Sequence, residues 1–181
     1  MKAVLRVDLV IAIFALLISG AATISSLYQT KAIVNQLSSS VWPYLTVTSS
    51  TTTGTSFSEE VTNNGLGPAL VGGVRLSLDG HVLKSYRDGF DRLKNSLPKN
   101  AHPRDTVSSS SIGPTTVVRS GETYQMLAIR GPLIKYVGDL GSRLQLTVCY
   151  CSLLGQCWSV TGQNPRETVS GCAKQNGSID Y

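Results

Sequence analysis

The residues best equipped for chemistry are four cysteines, Cys149, Cys151, Cys157 and Cys172, all within the last 33 residues of a 181-residue chain. Thiolates can hold zinc, exchange electrons or close disulfides, and spacing decides among these. A zinc site would need all four at an unusual C-x-C-x5-C-x14-C spacing, because the two histidines, His81 and His102, lie far from them in sequence. A thioredoxin-type couple would need C-x-x-C at the start of a helix, which the chain lacks. Structural disulfides are the reading that remains, and they imply an oxidising destination.

The segment CYCSLLGQCW bears on the pairing. If Leu153, Leu154 and Gly155 make a three-residue loop, with Gly155 in the left-handed conformation, Ser152 pairs with Gln156 and Cys151 lies across from Cys157. Cys149 is two residues back on the same face, which leaves it for Cys172. Cys151 with Cys157 and Cys149 with Cys172 is the favoured connectivity; the two other pairings stay open.

Other chemistry finds little support. Both histidines fall in or beside expected turns, and no G-x-S-x-G motif offers a nucleophile. Glu59 and Glu60 point to opposite faces of a strand, so they cannot act together as acid and base. Gly72-Gly73 sits inside a strand pattern, which implies a bulge or the close approach of another backbone rather than a phosphate loop. Asn176-Gly177-Ser178 fits a glycosylation acceptor, a pattern common by chance. The chain reads as a non-enzyme without cofactor or metal.

The elements that position these residues begin with an uncharged run of 22 residues between Asp8 and Lys31, opening LVIAIFALLI. About 20 apolar residues span a bilayer core, so the run is a membrane helix or an export signal. Lys2 and Arg6 precede it and only Lys31 follows before Arg75, which favours a cytoplasmic N-terminus. Gly20-Ala21-Ala22 would suit signal cleavage near Ala22, leaving a secreted domain. Against that, Ile24, Leu27, Tyr28, Lys31, Val34 and Leu37 continue the helical spacing. The expectation is an uncleaved signal-anchor over residues 1–40, spanning at 5–27 with a stalk at 28–39, and a second domain over 41–181.

Beyond Trp42, short alternating runs rich in Thr, Ser, Gly and Val are separated by turns about every ten residues, the pattern of an antiparallel β-sandwich. Strands are expected at 42–51, 55–62 and 69–78. Asn63-Asn64-Gly65 and Gly67-Pro68 form a corner, and Asp79-Gly80 forms a type I′ hairpin into a return strand at 81–84. Tyr86, Phe90, Leu93 and Leu97 predict one short helix over 85–97. An edge strand near 115–119, strands at 124–129 and 143–151, and a helical turn over 132–140 complete the reading. The fold class is therefore mostly β: an N-terminal transmembrane helix and an antiparallel sandwich with one short helix.

Trp42-Pro43, the Asn64-Gly65-Leu66-Gly67-Pro68-Ala69 turn, Tyr150-Cys151-Ser152 and Cys157-Trp158 together resemble a kind of uncharacterised bacterial single-pass membrane protein. The N-G-x-G-P-A turn is also similar to one in immunoglobulin-like adhesion modules of bacterial surface proteins. The resemblance implies an Ig-like exported domain on a single anchor, and it brings no catalytic residues. Cys149 departs from it, since a non-cysteine residue is expected there.

Net charge is +5, and Lys84, Arg87, Arg92, Lys94, Lys99 and Arg104 gather on the helix and the loop after it, against Asp88, Asp91 and Asp105. Such a face could meet anionic lipid headgroups, acidic envelope polymers or an acidic protein, or simply be solvated. No aromatic residues interleave with it in a nucleic-acid-binding pattern. The expected role is an accessory or interaction subunit of an envelope complex, in a bacterial inner membrane with the domain in the periplasm. Its partners would be the bilayer and a membrane or periplasmic protein. The rival expectations are a pilin-like filament subunit and a secreted or tethered ligand-binding domain.

Overall fold

A computed structural model describes residues 2–52, 54–97, 104–110, 112–137 and 139–172. Lys99, His102 and the Asn176-Gly177-Ser178 triplet lie outside these residues. The chain divides into two compact units, Met1–Ser40 and Val41–Tyr181.

The first unit is one helix, α1 (Lys2–Ser40). Its stretch Asp8–Ser38, with a peak mean hydropathy of 2.2, is long and apolar enough to cross a membrane, as an anchor or a signal sequence would be. At 1.5 Å per residue α1 runs about 58 Å, roughly twice a bilayer's hydrocarbon thickness. Its hydroxyls suit an apolar surrounding: Ser19 donates to the Leu16 carbonyl, and Thr23 and Thr30 donate to carbonyls four residues back, each at 2.9 Å.

The second unit contains two antiparallel sheets. In the first, β1 (Leu45–Thr52), β2 (Ser56–Asn63), β5 (Thr106–Ser109) and β7 (Thr123–Arg130) run in the order β1-β2-β7-β5. In the second, β3 (Ala69–Leu78), β4 (His81–Val82), β8 (Leu144–Cys151), β9 (Cys157–Thr161) and β10 (Glu167–Val169) run in the order β10-β9-β8-β3-β4, and β6 (Val117–Val118) also pairs with β3. Alternation drives this arrangement: Phe57 and Val61 from the first sheet and Leu76, Leu146 and Val148 from the second enter one buried apolar cluster.

The Asp79-Gly80 hairpin forms as its residue types require, with both at positive φ and Leu78 paired with His81. Asp79 is also gripped by Arg143, whose guanidinium donates to both carboxylate oxygens at 2.7 and 2.9 Å. That hydrogen bonding is the main reason the Asp79 carboxyl lies below its usual range.

One expectation needs correction. The β-domain was to hold a single short helix; it holds three among the described residues, α2 (Tyr86–Asn95), α3 (Leu133–Val137) and α4 (Leu140–Arg143). α3 falls within the helical turn expected over 132–140, whereas α4 begins only at its last residue and was not expected; both form because Leu133, Ile134 and Leu140 each bury their side chains and tertiary burial outweighs weak local helix preference. α2 carries its own signals: Ser85 caps it by accepting from the Asp88 amide, and Asp88 pairs with Arg92 at 3.2 Å.

Candidate functional site

The sequence motifs converge on the start of the β-domain. Asn63, fully buried, is the hub: its amide nitrogen donates to the carbonyls of Gly67 (2.8 Å) and Val118 (2.9 Å), and its carbonyl oxygen accepts from the amides of Tyr44 (3.1 Å) and Gly65 (3.0 Å). This one side chain ties the segment before β1 to the turn after β2. The turn can lie so close only because it is glycine: a Cβ on Gly67 would sit 1.8 Å from the Val41 carbonyl oxygen. Asn64 adds its backbone amide to the Tyr44 carbonyl and its side chain to Thr46, both at 2.8 Å.

Arg166, from the loop between β9 and β10, closes the other side. Its guanidinium lies 4.4 Å from the Trp42 ring centre and 4.8 Å from those of Tyr44 and Trp158, and it donates to the Pro43 carbonyl at 2.9 Å. Tyr150, buried beside Trp158, accepts from the Leu45 amide at 3.2 Å, and burial pushes its phenol up despite that bond and Arg166. A groove of about 210 Å³ runs between residues 44–47 and residues 160–166. Along it lies the outer edge of β1, which among the described residues pairs only with β2. Its sequence LTVTSSTT carries neither charge nor proline to discourage another strand.

The sulfurs form a second cluster. Ser152 and Gln156 close the hairpin at 2.7 Å, Gly155 adopts φ 80°, and Cys151 pairs across the ladder with Cys157. Cys151–Cys157 and Cys149–Cys172 are both disulfide-bonded. Gly72 makes the second bridge feasible. It is the extra residue of a bulge in β3 opposite β8, and a Cβ there would stand 2.3 Å from the Cys172 Cβ. Gly72→Ala should therefore expel Cys172, leave two titratable thiols per chain and lower stability by about 3 kcal/mol, the loop-closure contribution of the bridge. Thiol counting under denaturing conditions and an unfolding curve check both; a variant with no free thiol would show that the strand moves instead.

The basic residues are less concentrated in space than in sequence. Lys84, Arg87, Arg92, Lys94 and Arg104 are exposed, but Asp88 holds Arg92 and Lys94 lies 4.7 Å over the Phe90 ring. Arg87 shares the lining of a cavity of about 390 Å³ between α2 and β5 with Asp91 and Asp105, so that recess has mixed charge. His81 is exposed in β4, close enough to Asp79 to favour its carboxylate, and that acid is already held by Arg143. No family model, curated protein or solved structure matches this chain.

Three features escaped the sequence reading: Arg166, the hub role of Asn63, and the burial of Glu59. Glu59 is wholly inaccessible, and neither of its oxygens has a hydrogen-bond partner among the described residues. It faces inward between Phe57 and Val61, paired with Ser49 on one side and with Leu127 on the other, where the ladder shifts register. Burial pushes its carboxyl up to about 8.

Proposed function

We propose that this protein is a non-enzymatic, single-pass inner-membrane protein whose α1 is retained as an anchor and whose β-domain is an exported, immunoglobulin-like sandwich serving as an interaction subunit of an envelope assembly. The observation that carries the reading is the uncharged edge of β1, unpaired by any second strand among the described residues and lying beside the 44–47 groove, in a domain whose four cysteines are all bridged. An edge of that kind accepts a strand from a partner through backbone hydrogen bonds, and the bridges suit an oxidising periplasm. The resemblance of the W-P, N-G-x-G-P-A and Y-C-S…C-W motifs to bacterial single-pass proteins supports the same topology, with the N-terminus in the cytoplasm.

Gly20 and Ala21 give α1 small residues against which a second membrane helix can pack closely. Replacing both by Leu should reduce recovery of a membrane partner from mild detergent several-fold. Undiminished recovery would remove α1 from the interface. The length of α1 also suits a pilin-like subunit, and the mass of the mature N-terminus separates the fates. An intact chain supports the anchor, trimming near residue 7 a pilin, and trimming near residue 22 a secreted domain.

A further inference from the structure

The two disulfides are not independent. Sγ of Cys151 lies 3.7 Å from Sγ of Cys172, across from one bridge to the other, and the sulfurs of Cys151, Cys157 and Cys172 all lie within 4.8 Å of one another. Burial sorts the four cysteines. Cys149 is 1% exposed and Cys157 7%, whereas Cys151 and Cys172 are half-buried. Each bridge thus has one half-buried cysteine, and the sulfurs of those two are the pair in contact.

We infer that the cluster is a thiol–disulfide exchange site, in which reduction of either bridge by a dithiol passes to the other and leaves a third bridge, Cys151–Cys172. A dithiol reductant attacks Sγ of Cys151 and expels Cys157 as a thiolate, which is then protonated. The reductant's second thiolate attacks its own sulfur in the mixed disulfide, forming the oxidised reagent and releasing Cys151 as a thiolate. Cys151 then attacks the neighbouring Sγ of Cys172: the 151–172 bond forms, the 149–172 bond breaks, and Cys149 leaves as a thiolate and takes a proton. This last step is an isomerisation with no net electron transfer. Entry at Cys172 gives the same end point, because the released Cys172 attacks Cys151 and expels Cys157.

The consequence is selective. In the exchanged form the chain end stays tied to β8 through Cys172, while the staple across the β8–β9 hairpin is gone. The substrate class is a dithiol of any source able to reach the sulfurs of two half-buried cysteines. The inference goes beyond the interaction role proposed above and does not depend on it.

Full-length protein in mild detergent, treated with graded dithiothreitol, quenched with acid and then labelled with N-ethylmaleimide, provides the test by peptide mapping without further reduction. The expected two-thiol species carries Cys151–Cys172, with label on Cys149 and Cys157. A two-thiol species retaining only a native bridge, or a direct passage from no thiols to four, overturns the inference. Cys157→Ser leaves Cys151 as the attacking thiol without any reductant. Provided its tryptophan fluorescence matches the parent, its map should contain both Cys149–Cys172 and Cys151–Cys172, and Cys149–Cys172 alone overturns the inference equally.

Discussion

Asn63→Ala should lower the stability of the β-domain by about 4 kcal/mol or more, because it strands four backbone groups at once. The amides of Tyr44 and Gly65 lose their acceptor, and the carbonyls of Gly67 and Val118 lose their donor. An unsatisfied buried polar group costs roughly 1–3 kcal/mol, and a domain of this size has only about 5–15 kcal/mol in total. Both tryptophans, Trp42 and Trp158, lie in the β-domain, so urea unfolding followed by fluorescence reads this unit without interference from α1. A midpoint within about 1 kcal/mol of the parent would mean that water or a rearranged turn replaces the side chain.

Glu59 should give an effect of similar size and opposite sign. Its carboxyl titrates at about 8 in the folded protein, against an ordinary 4.5. The folded state therefore keeps the proton after the unfolded chain has released it. Stability is fully present below about pH 4.5 and declines as pH rises through the window to about 8, at up to roughly 1.4 kcal/mol per unit. Glu59→Gln is neutral throughout, so its advantage over the parent should be small at pH 4.5 and reach about 3 kcal/mol at pH 7. Parallel stability profiles from pH 4.5 to 8.5 would show that the carboxylate finds a partner or water when it ionises.

How far these sites were legible in the sequence follows from how local their causes are. The Asp79-Gly80 turn and the Cys151–Cys157 register depend on a few consecutive residues, and the chain states them directly. β3 and β8 were readable because an alternating run has one phase. The same period of two that places Phe57 and Val61 inside also places Glu59 and Asn63 inside, so their burial was available to a stricter count. Asn63 was assigned to a corner instead, and Glu59 and Glu60 were only placed on opposite faces of the strand. β5 was not readable: Thr106–Ser109 is exposed along its length with Val107 its single apolar residue, and it is a strand only because β7 offers it a ladder. Arg166 gave no signal because its three rings come from residues 42, 44 and 158, brought together by the fold alone. The same holds for the contact between Cys151 and Cys172, which no spacing rule contains.

The Cys149–Cys172 bridge also decides how the protein would answer a mechanical load. Tension entering from the N-terminal side and leaving beyond residue 172 crosses from β8 through the sulfur–sulfur bond, bypassing the 23 residues of sequence separation between the two cysteines. Those residues would otherwise add about 80 Å of slack when drawn out. While the bond holds, β9 and β10 cannot be peeled away by pulling on the chain ends, and a stretched molecule retains its cluster of Trp158, Arg166 and the closing hairpin as an inextensible knot.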